Sequence, residues 1–419
     1  MATEGPSGEA SAVAGVDIPS AAELIERARA LAPLLAQNVE RCEAERRVPE
    51  ENIDLIKQAG LYKVLQPRTF GGYELDFGVY VELAYELGKG CTSTAWVYEN
   101  NCMHSLLVGY MSEQVQHELW VDRRDTIIST GWAPREGHAV KTDGGYMCNG
   151  QWGAASGAFN CWADLLNMPV INPETGALIE MRFFLLFRDL NEYEIVDTWH
   201  SSGLQGTGSN DIRVSNLFVP DYRTILWNAC NKQPDSETGK VFLQGCGVHH
   251  STWYSAPCND WMHWTIIPAL AGGAQTAFDA TVARLQNRTN LFGQKLGDTQ
   301  SVQLRMADAQ TKIDWAMLSL RHDVAECQHY YEAGSCPPRA ARARWRSHSA
   351  SQAQLLNEAM ASLRYRDGFN GAFSHQPLQR AHRDITTGTA HIGTDFDVMG
   401  GTYGRAMLGI EDPTDPLKV

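Results

Sequence analysis

The sequence predicts an α+β protein that is mostly α-helical, with one small β region enclosed between two helical regions. Three observations predict this order. Apolar residues recur at helical spacing from Ser20, short apolar runs separated by turn residues begin near residue 126, and long helical patterns return after about residue 240. We therefore expect a disordered leader over residues 1–19, an N-terminal helical domain over 20–125, a central β domain over 126–240 and a C-terminal helical bundle over 241–419.

The first helical region has clear start and stop signals. Ser20 and Glu23 form a capping box, in which the serine hydroxyl accepts a free N–H group of the first helical turn. Pro49 is expected to open a further helix that ends at Gly60. Two more helices are predicted for the stretches FGVYVELAYELGKG and STAWVYENNCMHSLLVGYM. The apolar residues that follow the first cap at helical spacing are Leu24, Ala28, Leu31 and Leu35.

In the β region, turn residues separate short apolar runs. The stretch AVKTDGGYMCNG carries the dipeptide Asp143–Gly144, which favours a tight turn between two strands. The runs LIEMRFFLLF and IRVSNLFVP are typical of buried strands. No internal repeat is evident, so the region is expected to form one small β domain.

Two glycine-rich stretches in the β region are candidate ligand loops. GLQGTGSNDIRVSNLFVP places Thr207 and Ser209 among glycines directly before a strand, and NGQWGAASGAFNCWADLL places Ser156 among small residues. Glycines let backbone N–H groups approach a ligand closely, and hydroxyls supply further donors. A plain turn explains the same pattern, so these residues by themselves do not decide between a turn and a ligand loop.

The composition excludes several classes of protein. At 419 residues the chain is too long for one ordinary core, and its formal net charge of -14 argues against binding to nucleic acid or to a membrane surface. The ten cysteines show no CxxC pair and no metal-ligand spacing, which predicts reduced thiols in the cytoplasm and no metal site. No stretch approaches the ~20 apolar residues of a membrane span, and the first residues lack the pattern of a signal peptide.

Taken together, the motifs resemble the acyl-CoA dehydrogenase fold. The resemblance rests on the helix–strand–helix order and on the stretches LIKQAGLYKVLQPRTFGGYELDF, STAW, NGQWGAASG and WHSSGLQGTGSNDIRVSNLFVP, and it extends over nearly the whole chain. It implies an N-terminal helical domain, a central β-barrel-like domain and a C-terminal four-helix bundle. It also implies a flavin at their junction and assembly into a homotetramer.

The C-terminal segment indicates which branch of the acyl-CoA dehydrogenase fold the chain resembles. Acyl-CoA dehydrogenases commonly carry a glutamate base in their closing segment, whereas this chain has TAHIGTDFDV there. With ERRVPEENIDLIKQAGL and the terminal GIEDP, this stretch is similar to the oxygenase components of two-component flavin monooxygenases of the p-hydroxyphenylacetate 3-hydroxylase kind. The resemblance implies a separate NAD(P)H:flavin reductase that supplies reduced flavin, as FADH2 or FMNH2. The oxygenase then reacts it with O2 to a C4a-hydroperoxyflavin and hydroxylates a small aromatic substrate, either phenolic or indole-like.

The resemblance assigns roles to two histidines. His391 is matched to a histidine that hydrogen-bonds near the flavin hydroperoxide. Asp395 follows four residues later, so on a helix its carboxylate would share a face with the imidazole and orient it. His104 is matched to the histidine that takes the proton of the substrate hydroxyl. The alternatives are a surface or capping contact for His391 and Asp395, and a core histidine for His104, while Asp397 is expected to be structural.

Hydroxyl side chains are assigned to the flavin in the same way. Ser156 is matched to the residue that hydrogen-bonds the nitrogen of the central flavin ring. Thr207 and Ser209 are matched to a turn that faces the cofactor, and Thr130 is grouped with them as a flavin contact. The alternative for Ser156, and similarly for Thr207 and Ser209, is a small residue at a tight turn.

The substrate is expected to contact an aromatic-rich stretch, VHHSTWYSAPCNDWMHWTIIPALAGG over residues 248–273. It contains no arginine or lysine, whereas p-hydroxyphenylacetate hydroxylases have an arginine there that is associated with the substrate carboxylate. A buried carboxylate needs a partner, so a neutral or weakly acidic aromatic substrate is expected instead. Core packing is the alternative for these rings. The predicted substrate-binding residues are Trp253, Trp261, His263 and Trp264, with Tyr254 beside them.

Two other functions remain open from the sequence. An acyl-CoA dehydrogenase-type flavoprotein that oxidises an acyl thioester would need its base on another helix, because the usual glutamate is missing from the tail. A non-catalytic member that uses the helical bundle for assembly is the third interpretation.

Overall fold

The computed structural model describes residues 17–231, 245–290, 292–367 and 371–410. Most of the leader predicted over 1–19 lies outside these residues, as does the domain boundary predicted at residue 240. Over the described residues the chain forms helices, then strands, then helices, which confirms the predicted fold class. The positions of the domain boundaries stay predictions.

The N-terminal region is helical, as its capping and spacing signals predict. The Ser20 hydroxyl accepts from the Glu23 N–H at 3.2 Å, and the predicted apolar stripe of the first helix is buried. Pro49 directly precedes the third helix, and Gly60 follows its end with a left-handed φ of 76°. The helices of this region are α1 (Ala21–Gln37), α2 (Val39–Glu45), α3 (Glu50–Gln58), α4 (Phe77–Gly90), α5 (Thr92–Gly109) and α6 (Glu113–His117).

The strands of the β region belong to one sheet. Hydrogen-bonded neighbours along its main path follow the order β6-β7-β3-β2-β4-β5-β8, and β1 pairs with β4 in parallel. The predicted turn at Asp143–Gly144 joins β2 to β3, where Thr142 pairs with Gly145. The strands are β1 (Ile128–Gly131), β2 (Ala133–Thr142), β3 (Gly145–Ala155), β4 (Ala163–Ile171), β5 (Leu178–Phe187), β6 (Glu194–Val196), β7 (Asn210–Pro220) and β8 (Thr224–Leu226).

The second half of β5 is buried on both faces. Along β5, Phe183 and Leu185 belong to the large core that includes the helices, whereas Phe184 and Leu186 belong to a separate core within the β region. Successive side chains of a strand point to opposite faces, so this alternation places the sheet between two apolar layers. One face therefore holds the β region against the helices, and the other gives it a core of its own.

The C-terminal region is a helical bundle. Helices α8, α9, α10 and α11 pack on one another as the predicted four-helix bundle, and α12 packs against α10. No helix among the residues that the structure describes is long and apolar enough to cross a membrane. After the short α7 (Trp227–Cys230), the helices are α8 (Ile267–Asn287), α9 (Gln300–Glu332), α10 (Arg339–Asp367), α11 (Pro377–Gly388) and α12 (Phe396–Met407).

Helix α5 lies where the three regions meet. It contacts β1 on one side and α8 on another, and all of its residues except Asn100 are buried. A helix that is apolar or uncharged on nearly every face is typical of the centre of a protein. Its polar side chains, His104 among them, are therefore held between the sheet and the bundle.

Candidate active site

His104 is hydrogen-bonded through both ring nitrogens. Its Nδ1 lies 2.7 Å from the carbonyl oxygen of Ile128, and its Nε2 lies 2.7 Å from the hydroxyl of Thr130. A carbonyl oxygen only accepts hydrogen bonds, so Nδ1 donates and carries the ring proton. The Thr130 hydroxyl therefore donates to Nε2. The structure thus brings His104 together with Thr130 and leaves Nε2 as the basic atom of the ring.

Burial keeps the His104 ring neutral. The side chain is 2% exposed, and desolvation lowers its pKa to about 4, although the bond to the Ile128 carbonyl acts in the opposite direction. At neutral pH the ring is therefore uncharged and able to accept a proton at Nε2. This is the protonation state that the predicted base requires.

Three of the predicted hydroxyl residues form one cluster. The hydroxyl oxygens of Ser156 and Ser209 are 2.9 Å apart, and those of Thr207 and Ser209 are 2.7 Å apart. Trp96 of α5 joins them, because its indole Nε1 donates to the Ser156 hydroxyl at 3.1 Å. Thr130 was grouped with these residues but lies at His104 instead. We call Ser156, Thr207, Ser209 and Trp96 the hydroxyl cluster.

The turn that carries Thr207 and Ser209 depends on its glycines. Gly208 has a left-handed φ of 52°, and a Cβ at Gly206 would lie only 2.2 Å from the Cys42 sulfur. The Cys42 thiol also donates to the Gly206 carbonyl at 3.6 Å, which ties the turn to α2. The glycines are thus explained by turn geometry and close packing, while the two hydroxyls supply the polar groups.

His391 lies beside the hydroxyl cluster. Its ring and that of Trp96 meet edge to face, with centroids 5.9 Å apart. The Gly393 N–H donates to Nδ1 at 3.0 Å, so the proton of the neutral ring sits on Nε2. The side chain is exposed, yet the protein around it desolvates the ring and lowers the pKa of His391 to about 4. At neutral pH, His391 therefore presents a neutral ring with Nε2–H as a hydrogen-bond donor.

The prediction that His391 and Asp395 share the face of a helix is wrong. Asp395 is the cap residue of α12, and its carboxylate accepts from the N–H groups of Asp397 at 2.9 Å and Val398 at 3.4 Å. Its backbone is extended, with φ -69° and ψ 109°, so the chain is not continuously helical between the two side chains. Aspartate is favoured at this place because it satisfies free N–H groups of the first turn. Asp397 is exposed in that first turn.

The aromatic stretch over residues 248–273 lies in the core. Trp253 is 5.1 Å from Phe77 of α4 and Trp264 is 5.9 Å from Trp345 of α10, measured between ring centroids. The predicted substrate-binding side chains are at most 2% exposed, which favours core packing, the alternative interpretation of these rings, over contact with a substrate. The stretch has one charged residue, and its rings pack between helices, although the indole N–H groups of Trp253 and Trp264 are buried without a hydrogen-bond partner among the described residues. The residues reassigned to the core are Trp253, Trp261, His263 and Trp264, with Tyr254.

One buried ion pair anchors this aromatic stretch to the bundle. Asp260 is 1% exposed, and its carboxylate accepts from Nε of Arg342 on α10 and from the hydroxyl of Tyr331 on α9. Desolvation raises the pKa of the Asp260 carboxyl, and Arg342 opposes that shift. A buried carboxylate needs such partners. The contact therefore fixes the stretch to α9 and α10.

Comparisons with known proteins identify the family of the chain. The models of the acyl-CoA dehydrogenase N-terminal and C-terminal domains match residues 20–122 and 264–396. The HsaA oxygenase subunit of a flavin-dependent monooxygenase from Mycobacterium tuberculosis is 31% identical over 386 residues, which cover 91% of this chain and 94% of that protein. The chain belongs to the flavin-dependent monooxygenase oxygenase components, which are built on the acyl-CoA dehydrogenase fold.

Two further relatives are similar to this chain over nearly their whole length. The oxygenase component of p-hydroxyphenylacetate 3-hydroxylase from Acinetobacter baumannii is 28% identical over 403 residues, covering 94% of this chain and 91% of that protein. The crystal structure of 3-HSA hydroxylase from Rhodococcus sp. RHA1 superposes with a TM-score of 0.87 at 28% identity. It covers 94% of this chain and 98% of that chain.

The polar groups beside the hydroxyl cluster suit the flavin that this family uses. Ser156 is only half-buried and His391 is exposed, so the cluster and the imidazole can be reached by a ligand. The Ser156 oxygen keeps a lone pair that can accept a hydrogen bond, and the Nε2–H of His391 is a neutral donor. A reduced flavin carries both N–H donors and carbonyl acceptors, so these groups fit a flavin placed between the hydroxyl turn and the tail of the chain.

Trp96 is a site residue that the sequence analysis missed. It is part of the stretch STAW, which carries the family resemblance, but no role was given to it. Its indole both fixes the Ser156 hydroxyl and packs against the His391 ring. One feature of the sequence could have indicated this role. Trp96 lies in the same predicted helix as His104, and a buried tryptophan N–H needs a hydrogen-bond acceptor.

Proposed function

We propose that this oxygenase component hydroxylates a neutral or weakly acidic aromatic compound, such as a phenol or an indole-like ring. The observation that carries the proposal is the neutral, buried ring of His104, which is hydrogen-bonded to Thr130. His104 lies on α5, the helix that also carries Trp96. When bound, reduced flavin activates O2 and supplies the oxygen atom that enters the ring. Because its relatives are oxygenase components of two-component systems, a separate reductase supplies that flavin.

His104 and Thr130 act on the acidic proton of the substrate in this proposal, the O–H of a phenol or the ring N–H of an indole-like compound. Thr130 already donates to Nε2 of His104, so its oxygen accepts the substrate proton while its own proton passes to Nε2. The substrate oxygen or nitrogen is left with a partial negative charge, which makes the ring more electron-rich. Taking the proton as oxygen is transferred is general base catalysis by a side chain already in its neutral form.

Ser156, Ser209 and His391 hold the flavin in this proposal. Trp96 contacts both Ser156 and His391, so one side chain orients a polar group on each side of the proposed flavin position. Polar groups that are already oriented need no rearrangement when charge develops during the reaction. The Nε2–H of His391 would donate to the bound flavin and so would limit the loss of hydrogen peroxide.

We also propose that copies of the chain assemble through the C-terminal bundle, as the homotetramer expected from the sequence. The support is a set of large apolar side chains that are exposed near the tail and on α9, since soluble monomers rarely leave such patches uncovered. A second copy seated there would cover the tail that carries His391. Exposed apolar side chains of this set include Ile392 (75%), Leu408 (75%), Met407 (65%), Leu304 (63%), Trp315 (60%) and Leu318 (59%).

Replacing Ser156 by alanine is expected to raise the hydrogen peroxide released per reduced flavin by about two- to tenfold. A hydrogen bond of this kind contributes roughly 0.5–1.5 kcal/mol, and the change removes the acceptor of the Trp96 indole as well. Peroxide and product yields are measured together with substrate affinity. The control is Ser351→Ala, because the Ser351 hydroxyl bonds only within α10. Normal yields with much weaker substrate binding would contradict a role at the flavin.

The substrate class is tested by supplying reduced flavin from a reductase and comparing p-cresol and indole with p-hydroxyphenylacetate. Faster hydroxylation of the two uncharged compounds is expected, because the side chains proposed to contact the substrate, His104 and Thr130, are neutral and offer no cation to pair with a carboxylate. An unpaired carboxylate in a buried pocket costs several kcal/mol, roughly 2–7 for a polar group without a partner and more for a charge. A clear preference for the arylacetate would show that a cation elsewhere in the chain reaches the substrate.

A further inference from the structure

The Leu204 peptide links the hydroxyl turn to the C-terminal bundle. Its N–H donates to the Oδ1 atom of Asp384 on α11 at 2.6 Å. Asp384 is 3% exposed, so water does not compete freely for this carboxyl group. The bond joins residues 180 positions apart in the chain. It is therefore a tertiary contact between the β region and the bundle.

The carbonyl group of Leu204 is bound within the turn. Its oxygen accepts from the Thr207 N–H at 3.1 Å, from the Thr207 hydroxyl at 2.9 Å and from the Trp199 indole at 2.9 Å. Leu204 also has a φ of 50°, a conformation that leucine adopts only where the surrounding contacts impose it. The position of Leu204 therefore determines that of Thr207 and, through its hydroxyl, that of Ser209.

Helix α11 and the turn are in direct backbone contact. A Cβ at Gly203 would lie 2.1 Å from the Arg383 carbonyl oxygen, so no side chain fits between them. The Arg383 guanidinium also donates to the Ser202 carbonyl at 2.8 Å. Closely packed interfaces transmit displacements rather than absorbing them. A shift of α11 is therefore passed on to the hydroxyl turn.

Helix α11 also leads to His391, because the helix ends at Gly388 and the chain continues directly to His391. We infer that Asp384 is a positioning residue, which sets the spacing between the hydroxyl turn and His391 on either side of the proposed flavin. It acts through the Leu204 peptide. The inference rests on the function proposed above and adds a residue outside the groups assigned to flavin and substrate.

The charge of Asp384 depends on its surroundings. Burial raises its pKa to about 6, the Leu204 N–H opposes that shift, and the nearby charges modify it further. A hydrogen bond to a carboxylate is stronger than one to the neutral acid, so the Asp384–Leu204 bond is expected to weaken as the pH falls through about 6. The titratable groups that face Asp384 are Arg380 and Arg383 of α11, Glu43 and Cys42 of α2, and Cys91 at the start of α5.

The bond is tested by hydrogen exchange of the Leu204 amide in the full chain without flavin. Asp384→Ala is expected to speed exchange of this amide by about tenfold or more, whereas Asp384→Asn keeps an acceptor oxygen and should retain most of the protection. Glu43→Gln is the matched control, because it weakens the ion pairs of α2 with Arg380 and Arg383 and leaves the Leu204 bond in place. Unchanged protection of Leu204 in Asp384→Ala would overturn the inference, and thermal unfolding of each variant verifies that it is folded.

The positioning role is tested by the peroxide released per reduced flavin between pH 5 and 7.5. Wild-type leakage is expected to rise as the pH falls through about 6, and Asp384→Asn should lose this dependence, because His104 and His391 have pKa values of about 4. Equal pH dependence in the two proteins would overturn the role of Asp384 even if Asp384→Ala did not fold. If the wild type consumed no reduced flavin, the proposed function would fail, and the exchange result would still report on the bond.

Discussion

Replacing His104 by alanine is expected to lower the rate of aromatic hydroxylation by about 10²- to 10⁴-fold, the range that general base catalysis typically contributes. Reduced flavin should still be consumed, because His104 is bound to Ile128 and Thr130 and to none of the hydroxyl cluster. The oxygen would then leave as hydrogen peroxide. The measurement is the ratio of hydroxylated product to peroxide for each reduced flavin supplied.

Two further variants test the proton path. Thr130→Val keeps the shape of the side chain and removes the hydroxyl that passes the proton to Nε2, so it should lower hydroxylation about as much as the loss of the imidazole does. The exposed His117 on α6 is the control position, and alanine there should leave the product ratio unchanged. A His104→Ala variant with normal product yield would remove His104 from the mechanism and restore the core-histidine interpretation.

Replacing Asp260 by alanine is expected to lower the free energy of unfolding by about 3–5 kcal/mol, which is typical when one partner of a buried ion pair is removed. The change leaves Arg342 and Tyr331 without the carboxylate that both bind at the centre of the bundle. The aromatic stretch would also lose its attachment to α9 and α10. Denaturant unfolding followed by tryptophan fluorescence measures the effect, because several tryptophans lie in this stretch.

The control for this stability effect is Asp54→Ala, since Asp54 is exposed on α3. Exposed substitutions away from caps and ion pairs rarely change stability by more than about 0.5 kcal/mol. A loss below about 1 kcal/mol in the Asp260 variant would mean that water or a neighbouring group satisfies the buried arginine. The anchoring role of Asp260 would then be wrong.

Much of the fold could be predicted because its signals are local. The Ser20 cap, the end of α3 at Gly60 and the turn at Asp143–Gly144 each depend on residues within one or two turns of each other. Such short-range patterns specify where an element begins and ends. The pairing of β1 with β4 in parallel has no local signal, because the partners are brought together by the packing of the whole sheet.

The site was predicted less completely, for physical reasons that differ between residues. The resemblance assigns Ser156 and Ser209 separately to the flavin, and the structure joins the two hydroxyls by a hydrogen bond that the sequence does not predict. Asp395 was misplaced because an aspartate four residues after a histidine suits either a helical pair or a cap, and spacing cannot tell them apart. The rings of Trp253 and Trp264 were given to the substrate because density of aromatic residues is common to pockets and cores.

Both partners of the His104 ring come from one short strand, β1, which pairs with β4 outside the main path of the sheet. The imidazole lies on α5, and its two hydrogen-bond partners, the Ile128 carbonyl and the Thr130 hydroxyl, follow 24 and 26 positions later in the chain. A fragment that ended before residue 126 would bury an imidazole with neither partner. Recombination between relatives at the boundary of helices and sheet would keep both bonds only where the incoming β1 supplies a hydroxyl at the position of Thr130. In the divergence of such oxygenases, α5 and β1 are therefore expected to be inherited together as a single block.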